Sequence, residues 1–190
     1  MNKWAQLAIT KRHAKEAFEG LTHKEARKYL RGLGYEALGR GAFSVVFAHP
    51  DRPDYVIRVG RTYAHLTGLG RTNDGFPEYA RAIQQGWIRS KNAPRVYALH
   101  WNGYSVTVVQ RCYKLSKQNK RLAQLVKNTS GTLRGDYLSR HYRDKPQAPR
   151  RLRDLLEKIN QYGTLDINGS NIMQSASGRL IITDPLTIPV

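Results

Sequence analysis

Apolar residues recur along this chain with two different periods, and the switches between them divide it into elements. Over residues 3–19, and again from Thr22 to about Gly32, the spacing is helical, and Thr22-His23-Lys24-Glu25 has the capping-box pattern that opens a helix. Runs rich in β-branched and aromatic residues then read as strands at about 35–39, 43–49 and 54–60. The glycine-spaced stretch 61–75 predicts a mobile loop, and Pro77 suits the first turn of a helix reaching to about residue 90. Val96–His100 and Tyr104–Gln110 flank Trp101-Asn102-Gly103, where Asn-Gly is a strong hairpin signal. A helix follows over 115–128, with Leu115, Leu122, Leu125 and Val126 available for an apolar face. Residues 128–149 are polar and bounded by prolines, which predicts an adaptable segment. Arg150–Tyr162 closes the helical part, with Leu152, Leu155, Leu156 and Ile159 facing inward. No internal repeat is visible. The expected class is α+β, with five antiparallel strands and one helix between the third and fourth.

Composition narrows this picture. A chain of 190 residues with 40% apolar content suits one domain with a core of ordinary size. The single Cys112 permits no internal disulfide and points to a reducing compartment. No apolar run approaches the roughly 18–20 residues that span a bilayer, so no membrane association and a cytoplasmic location are expected. The six histidines show no metal-ligand spacing.

Charge adds a separate expectation. The formal net charge is +18, and residues 111–160 alone carry 14 Lys/Arg against 4 Asp/Glu. Such a surface speeds association with polyanions or acidic proteins. Basic helices interleaved with Tyr137, Tyr142 and Tyr162 suit nucleic acid or nucleic-acid-bound machinery, and a solvated cationic face accounts for the same residues equally well.

Candidate chemistry is concentrated near the C-terminus. Asp166 and Asn171 in LDINGSN are five residues apart, and Asp184, thirteen further on, ends the strand-like run RLIITD. That spacing can gather one candidate base and two metal ligands around a phosphate-bound Mg²⁺. Far upstream, Gly39-Arg40-Gly41-Ala42-Phe43-Ser44 runs directly into Val45-Val46-Phe47, and Tyr55-Val56-Ile57-Arg58-Val59 follows a Pro/Asp-rich turn. A dinucleotide fold would send such glycines into a helix and a phosphate loop of the Walker type would end in Gly-Lys-Ser/Thr. A β-branched continuation instead predicts a hairpin laid over phosphates.

GRGAFSVVF, VIRV, LDINGSNIM and ITDP resemble, in order, the glycine loop, cation strand, catalytic loop and metal-binding aspartate of protein kinases. The stretch PRVYALHWNGYSVTVV and the histidine-proline turn after the hairpin sharpen the likeness to early-region serine/threonine kinases of lytic podovirus-type phages. The resemblance covers about residues 35–112 and 160–187. It implies a compact protein-kinase-like fold: a five-stranded N-lobe over 35–112, a reduced, mostly helical C-lobe over 113–190, and residues 1–34 as a helical extension. It implies ATP with Mg²⁺ or Mn²⁺ as cofactors and host proteins as substrates. Gly39, Arg40, Gly41, Ala42, Phe43 and Ser44 would form the lid over the phosphates. Val46 and Val56 above and Met173 below would enclose adenine beside the hinge residues Gln110 and Cys112. Arg58 would take the place of the strand lysine, and Glu78 that of its helix carboxylate. Asp166 would orient or deprotonate the acceptor hydroxyl, and Asn171 and Asp184 would hold the metal.

Four departures accompany the likeness. Ser44 replaces the third glycine, Thr164-Leu165 precede Asp166, Asp184 opens Asp-Pro-Leu, and the strand cation is arginine. A guanidinium is a planar fork where an ammonium is a point charge, so the last departure changes geometry. With six residues following Asp184 in this sequence, the activation segment of an ordinary protein kinase is not expected. The alternatives are a catalytically weak kinase-like protein that occludes a host target, and a small-molecule phosphotransferase, against which the basic second lobe argues.

Overall fold

A computed structural model describes residues 1–66, 70–134 and 139–189. In chain order the elements are α1 (Lys3–Phe18), α2 (His23–Gly32), β1 (Glu36–Arg40), β2 (Ser44–Ala48), β3 (Tyr55–Arg61), β4 (Tyr63–Leu66), β5 (Gly70–Asp74), α3 (Phe76–Gln84), β6 (Val96–Asn102) and β7 (Tyr104–Gln110). They continue with α4 (Lys117–Leu133), α5 (Ser139–Arg143), α6 (Arg150–Asn160), β8 (Thr164–Leu165), β9 (Ile172–Gln174), β10 (Leu180–Ile182) and β11 (Leu186–Pro189). The protein is α+β and separates into two compact units. The first comprises Met1–Pro77 with Arg95–Arg111, and the second Glu78–Pro94 with the chain from Cys112 onward.

The first unit is built on an antiparallel sheet of strand order β1-β2-β3-β7-β6. Side chains alternate between the faces of a strand, and the two faces of this sheet differ in chemistry. One carries Val45 and Phe47 of β2, Ile57 and Val59 of β3, and Val106 and Val108 of β7, all buried in one core with Ala14, Ala17, Ala26 and Leu30 of α1 and α2. The helices at 1–34 are thus the hydrophobic cover of this face and belong to the unit, where the sequence reading set them apart as an extension. Their ends obey local rules: the Asn2 side chain accepts from the Ala5 amide, and Thr22 and Glu25 cap α2 reciprocally. The hairpin turn at Asn102-Gly103 forms as expected, with Gly103 at φ 74°.

The other face bears Ser44, Val46, Val56, Arg58 and Gly60, with Ser105 and Thr107 opposite Gly60 and Arg58 on β7. A second ladder, β4 against β5, pairs Tyr63 with Asn73 and Ala64 with Thr72. The mobile loop expected over 61–75 is therefore corrected for its described part, while residues 67–69 lie outside the described residues. The reason the reading failed is that polar and glycine residues here are held by ladder hydrogen bonds and carry no apolar alternation.

In the second unit α6 buries Leu152, Leu155, Leu156 and Ile159, an i, i+3, i+4, i+7 stripe, and packs on α4 and β8. Two short antiparallel pairs, β9 with β10 and β8 with β11, frame the loop between Leu165 and Ile172. Helix α4 runs five residues past the predicted end, and Asn128, Thr129, Ser130 and Gly131 are buried. Thr129 Oγ1 accepts from the Ala148 amide, Asn128 donates to the Pro146 carbonyl, and a side chain at Gly131 would strike the Tyr142 ring. These polar residues bind the 139–149 segment onto the helix, so that part of the adaptable segment is ordered; residues 135–138, including Tyr137, lie outside the described residues.

Candidate active site

Ten of the sixteen candidate residues fall in the first unit. Gly39, Arg40, Gly41, Ala42, Phe43 and Ser44 form the end of β1, the turn and the start of β2, closed by the Gly41 amide donating to the Ser44 carbonyl at 2.8 Å. Neither Gly39 nor Gly41 has a positive φ, and a Cβ added to either would meet no atom within 4 Å. The fold thus gives no steric reason for these two glycines, and their bare backbone faces open space. Arg61 steadies the turn, its guanidinium donating twice to the Ala42 carbonyl while its amide donates to Phe43. Sequence reading passed over Arg61.

Val46 pairs with Arg58 and Ala48 with Val56 in the β2–β3 register, so Ser44, Val46, Val56 and Arg58 share one sheet face. Arg58 is 3% exposed. Its Nη1 and Nη2 donate to Asp74 Oδ2 and Oδ1 at 2.7 and 2.9 Å, a fork-on-fork ion pair, and its guanidinium lies 4.2 Å from the Phe76 ring centre. Asp74 Oδ1 also accepts from the Phe76 amide. Asp74 is thus a carboxylate found on the strand cation. Glu78, the residue expected in that role, carries an i, i+3 ion pair with Arg81. The signal was present in Thr72-Asn73-Asp74-Gly75, but a loop assignment there hid it. Gly60 is a consequence of the same pair: a Cβ at this position would lie 2.5 Å from Arg58 Nη1, 2.6 Å from Asp74 Oδ2 and 2.7 Å from Ser105 Oγ. Gln110 ends β7, and its side-chain carbonyl accepts from the Arg95 amide at 3.1 Å.

The remaining candidates, Glu78, Cys112, Asp166, Asn171, Met173 and Asp184, belong to the second unit. Cys112 is half-buried. Just beyond it, Tyr113 and Gln174 exchange backbone hydrogen bonds of 2.7 and 2.9 Å, which fixes Met173 next to that bridge. The Gln174 side chain then receives the Ser116 amide and the Asn119 carboxamide, tying the start of α4 to β9.

Three hydrogen bonds bring the trio together. The Asn171 Nδ2 donates to the Asp166 carbonyl at 2.6 Å. The Asp166 amide donates to the carbonyl of Pro185, the neighbour of Asp184, at 2.7 Å, and the Thr183 amide, on its other side, donates to the Asn171 carbonyl at 2.8 Å. Residues eighteen apart in sequence are thereby held as one cluster. Because the amide nitrogen of Asn171 is turned toward Asp166, its Oδ1 is the atom available to a cation, and it is touched within the protein by Ser170 Oγ at 3.3 Å. Asn168 shapes the turn by accepting from the Ser170 amide and hydroxyl.

Two residues that sequence reading missed hold the strand β10, which leads to Asp184. Tyr79 is fully buried on α3 and donates to the Ile182 carbonyl at 3.0 Å. Burial, with the Asp184 carboxylate second, drives its phenol far above the ordinary range, so it remains a donor at any physiological pH. Asn92 donates from its side chain to Leu180 and accepts at its carbonyl from the Ile182 amide. Neither residue lies in a motif.

Among the described residues no three His, Cys, Asp or Glu side chains form a metal cage. An Asp184 carboxylate and an Asn171 amide oxygen suit Mg²⁺, which is commonly held by one or two protein oxygens together with substrate phosphates. No protein-family model matches the chain, and no curated protein matches it.

Proposed function

We propose that the protein is an ATP-dependent, Mg²⁺-assisted serine/threonine protein kinase, and that its substrates are host proteins if its origin is the phage setting that its motifs resemble. The observation that carries the reading is the hydrogen-bonded convergence of Asp166, Asn171 and Asp184. Fixed groups of this kind lower a barrier by positioning and by meeting charge as it develops.

In this reading Asn171 Oδ1 and the Asp184 carboxylate would hold the metal, which when bound neutralises charge on the phosphates. The Asp166 carboxylate would receive the proton of the acceptor hydroxyl as that oxygen bonds to the γ-phosphorus. The bond to the β–γ bridging oxygen breaks, and ADP leaves with its electron pair. The backbone of Gly39–Ser44 is open to phosphate oxygens because no side chain at Gly39 or Gly41 covers it. Purified protein incubated with γ-labelled ATP, Mg²⁺ or Mn²⁺ and a bacterial lysate should label discrete proteins, and Asp166→Asn should abolish that labelling. Equal labelling by the variant would remove Asp166 from the chemistry.

One observation favours a second reading, a kinase-like binding protein with little transfer activity. Arg58 is buried and engaged on both Nη atoms by Asp74, where phosphate binding calls for a cation directed at the nucleotide. ATP binding with no transfer in the same assay would select this reading.

A further inference from the structure

Beside the candidate catalytic turn, and wholly within the second unit, lies an open cleft of about 670 Å³ between α4 and the segment Asn168-Gly169-Ser170. Its walls carry Lys114, Lys120 and Lys127, all exposed, and among the described residues no carboxylate lines it. None of the ion pairs among the described residues uses these lysines. The chain from Arg111 to Arg134 contains no Asp or Glu, so the charge is uncompensated locally as well. Lys120 and Lys127 are two helical turns apart, about 10 Å along the axis, a distance that about three residues of extended peptide span.

We propose that this cleft binds an acidic segment flanking the acceptor serine or threonine of protein substrates. The proposal rests on the kinase reading and names the substrate class for that site. The reason is position and sign: the cationic wall adjoins Asn168 and Ser170, two and four residues after Asp166, so a chain whose hydroxyl reaches Asp166 lays its flanking residues along the lysines. The described lining holds no aromatic side chain of the kind on which single-stranded RNA bases stack. The apolar floor supplied by Ile172 and Leu115 suits the stems and backbone of a peptide.

The test uses the full chain, a Lys114→Gln/Lys120→Gln/Lys127→Gln variant, and an Arg150→Gln/Arg151→Gln/Arg153→Gln control on the exposed side of α6 that removes equal charge outside the cleft. Serine peptides flanked by Asp/Glu, by Asn/Gln or by Lys are compared in fluorescence anisotropy and in transfer from labelled ATP. Each exposed pair is worth about a twofold to threefold change, so the cleft variant should bind the acidic peptide roughly tenfold more weakly, with a matching rise in KM. The control should stay within about twofold. Transfer to all peptides without preference, or equal loss in both variants, overturns the cleft and leaves the kinase reading standing. Loss of acidic-peptide binding in the cleft variant alone, with no transfer by any form, supports the cleft and overturns the kinase reading. Poly(U) displacing the acidic peptide and binding the cleft more tightly than it does overturns the proposal in favour of RNA.

Discussion

Asp74→Ala would strip a carboxylate that chelates a guanidinium with almost no solvent around it. The side chains of Arg58 and Asp74 are 4% and 2% exposed, so water does not take the place of the Asp74 carboxylate. Removing one member of a buried pair costs about 3–5 kcal/mol. The same change releases the Phe76 amide at the start of α3, which adds to the loss. For a chain of this size about 2–4 °C of melting temperature accompanies each kcal/mol, so a fall of roughly 6–20 °C is expected. The assay is thermal unfolding by circular dichroism, repeated in urea. A double variant, Arg58→Met/Asp74→Leu, serves as the control because it removes both charges and keeps the volume filled, and it should recover most of the loss. A shift below about 2 °C for Asp74→Ala, or a double variant as damaged as the single one, would refute the claim that this pair is a desolvated unit.

Other outcomes follow from the same geometry. Gly60→Ala drives a Cβ into Arg58, Asp74 and Ser105 and should lower stability by about 1–3 kcal/mol, read as a lower urea midpoint; an unchanged midpoint would show that the ion pair yields easily. Asp184→Ala should abolish labelling while leaving far-UV circular dichroism unchanged, and retained labelling would exclude Asp184 as a metal ligand. Burial, first among the causes, holds the imidazoles of His13, His23 and His100 below their ordinary value of 6.5, with Arg52 lowering His13 and Arg27 and Arg61 lowering His23 further. The unfolded chain therefore takes up protons first as pH falls, so the stability due to neutral histidine is complete above about pH 6.5 and declines toward pH 5. A flat unfolding midpoint over that interval would contradict it.

Much of the fold was legible because it follows from short-range patterns. The capping residues Thr22 and Glu25, the apolar stripe of α6 and the Asn-Gly turn at 102–103 each act within a few residues, and each appears where its local chemistry puts it. The spacing of Asp166, Asn171 and Asp184 was readable for the same reason, as a set of residue types at fixed intervals. What spacing could not supply was their convergence, which depends on the Asp166 amide finding Pro185 and the Thr183 amide finding Asn171 across β8, β11 and the intervening turn.

The tertiary structure alone decided partners that lie far apart in sequence or carry no periodic signal. Asp74 became the companion of Arg58 because the ladder of β4 and β5 returns the chain to that sheet face. Thr129 and Asn128 entered a buried position in α4 because a distant polar segment satisfies them, which the hydrophobic period cannot register. Tyr79 and Asn92 came to brace the strand before Asp184 in the same way. Local sequence sets which elements can form, since caps, turns and stripes act over one or two turns. Long-range pairing sets which charged and polar groups share a buried space, since only the packed chain brings each donor to its acceptor.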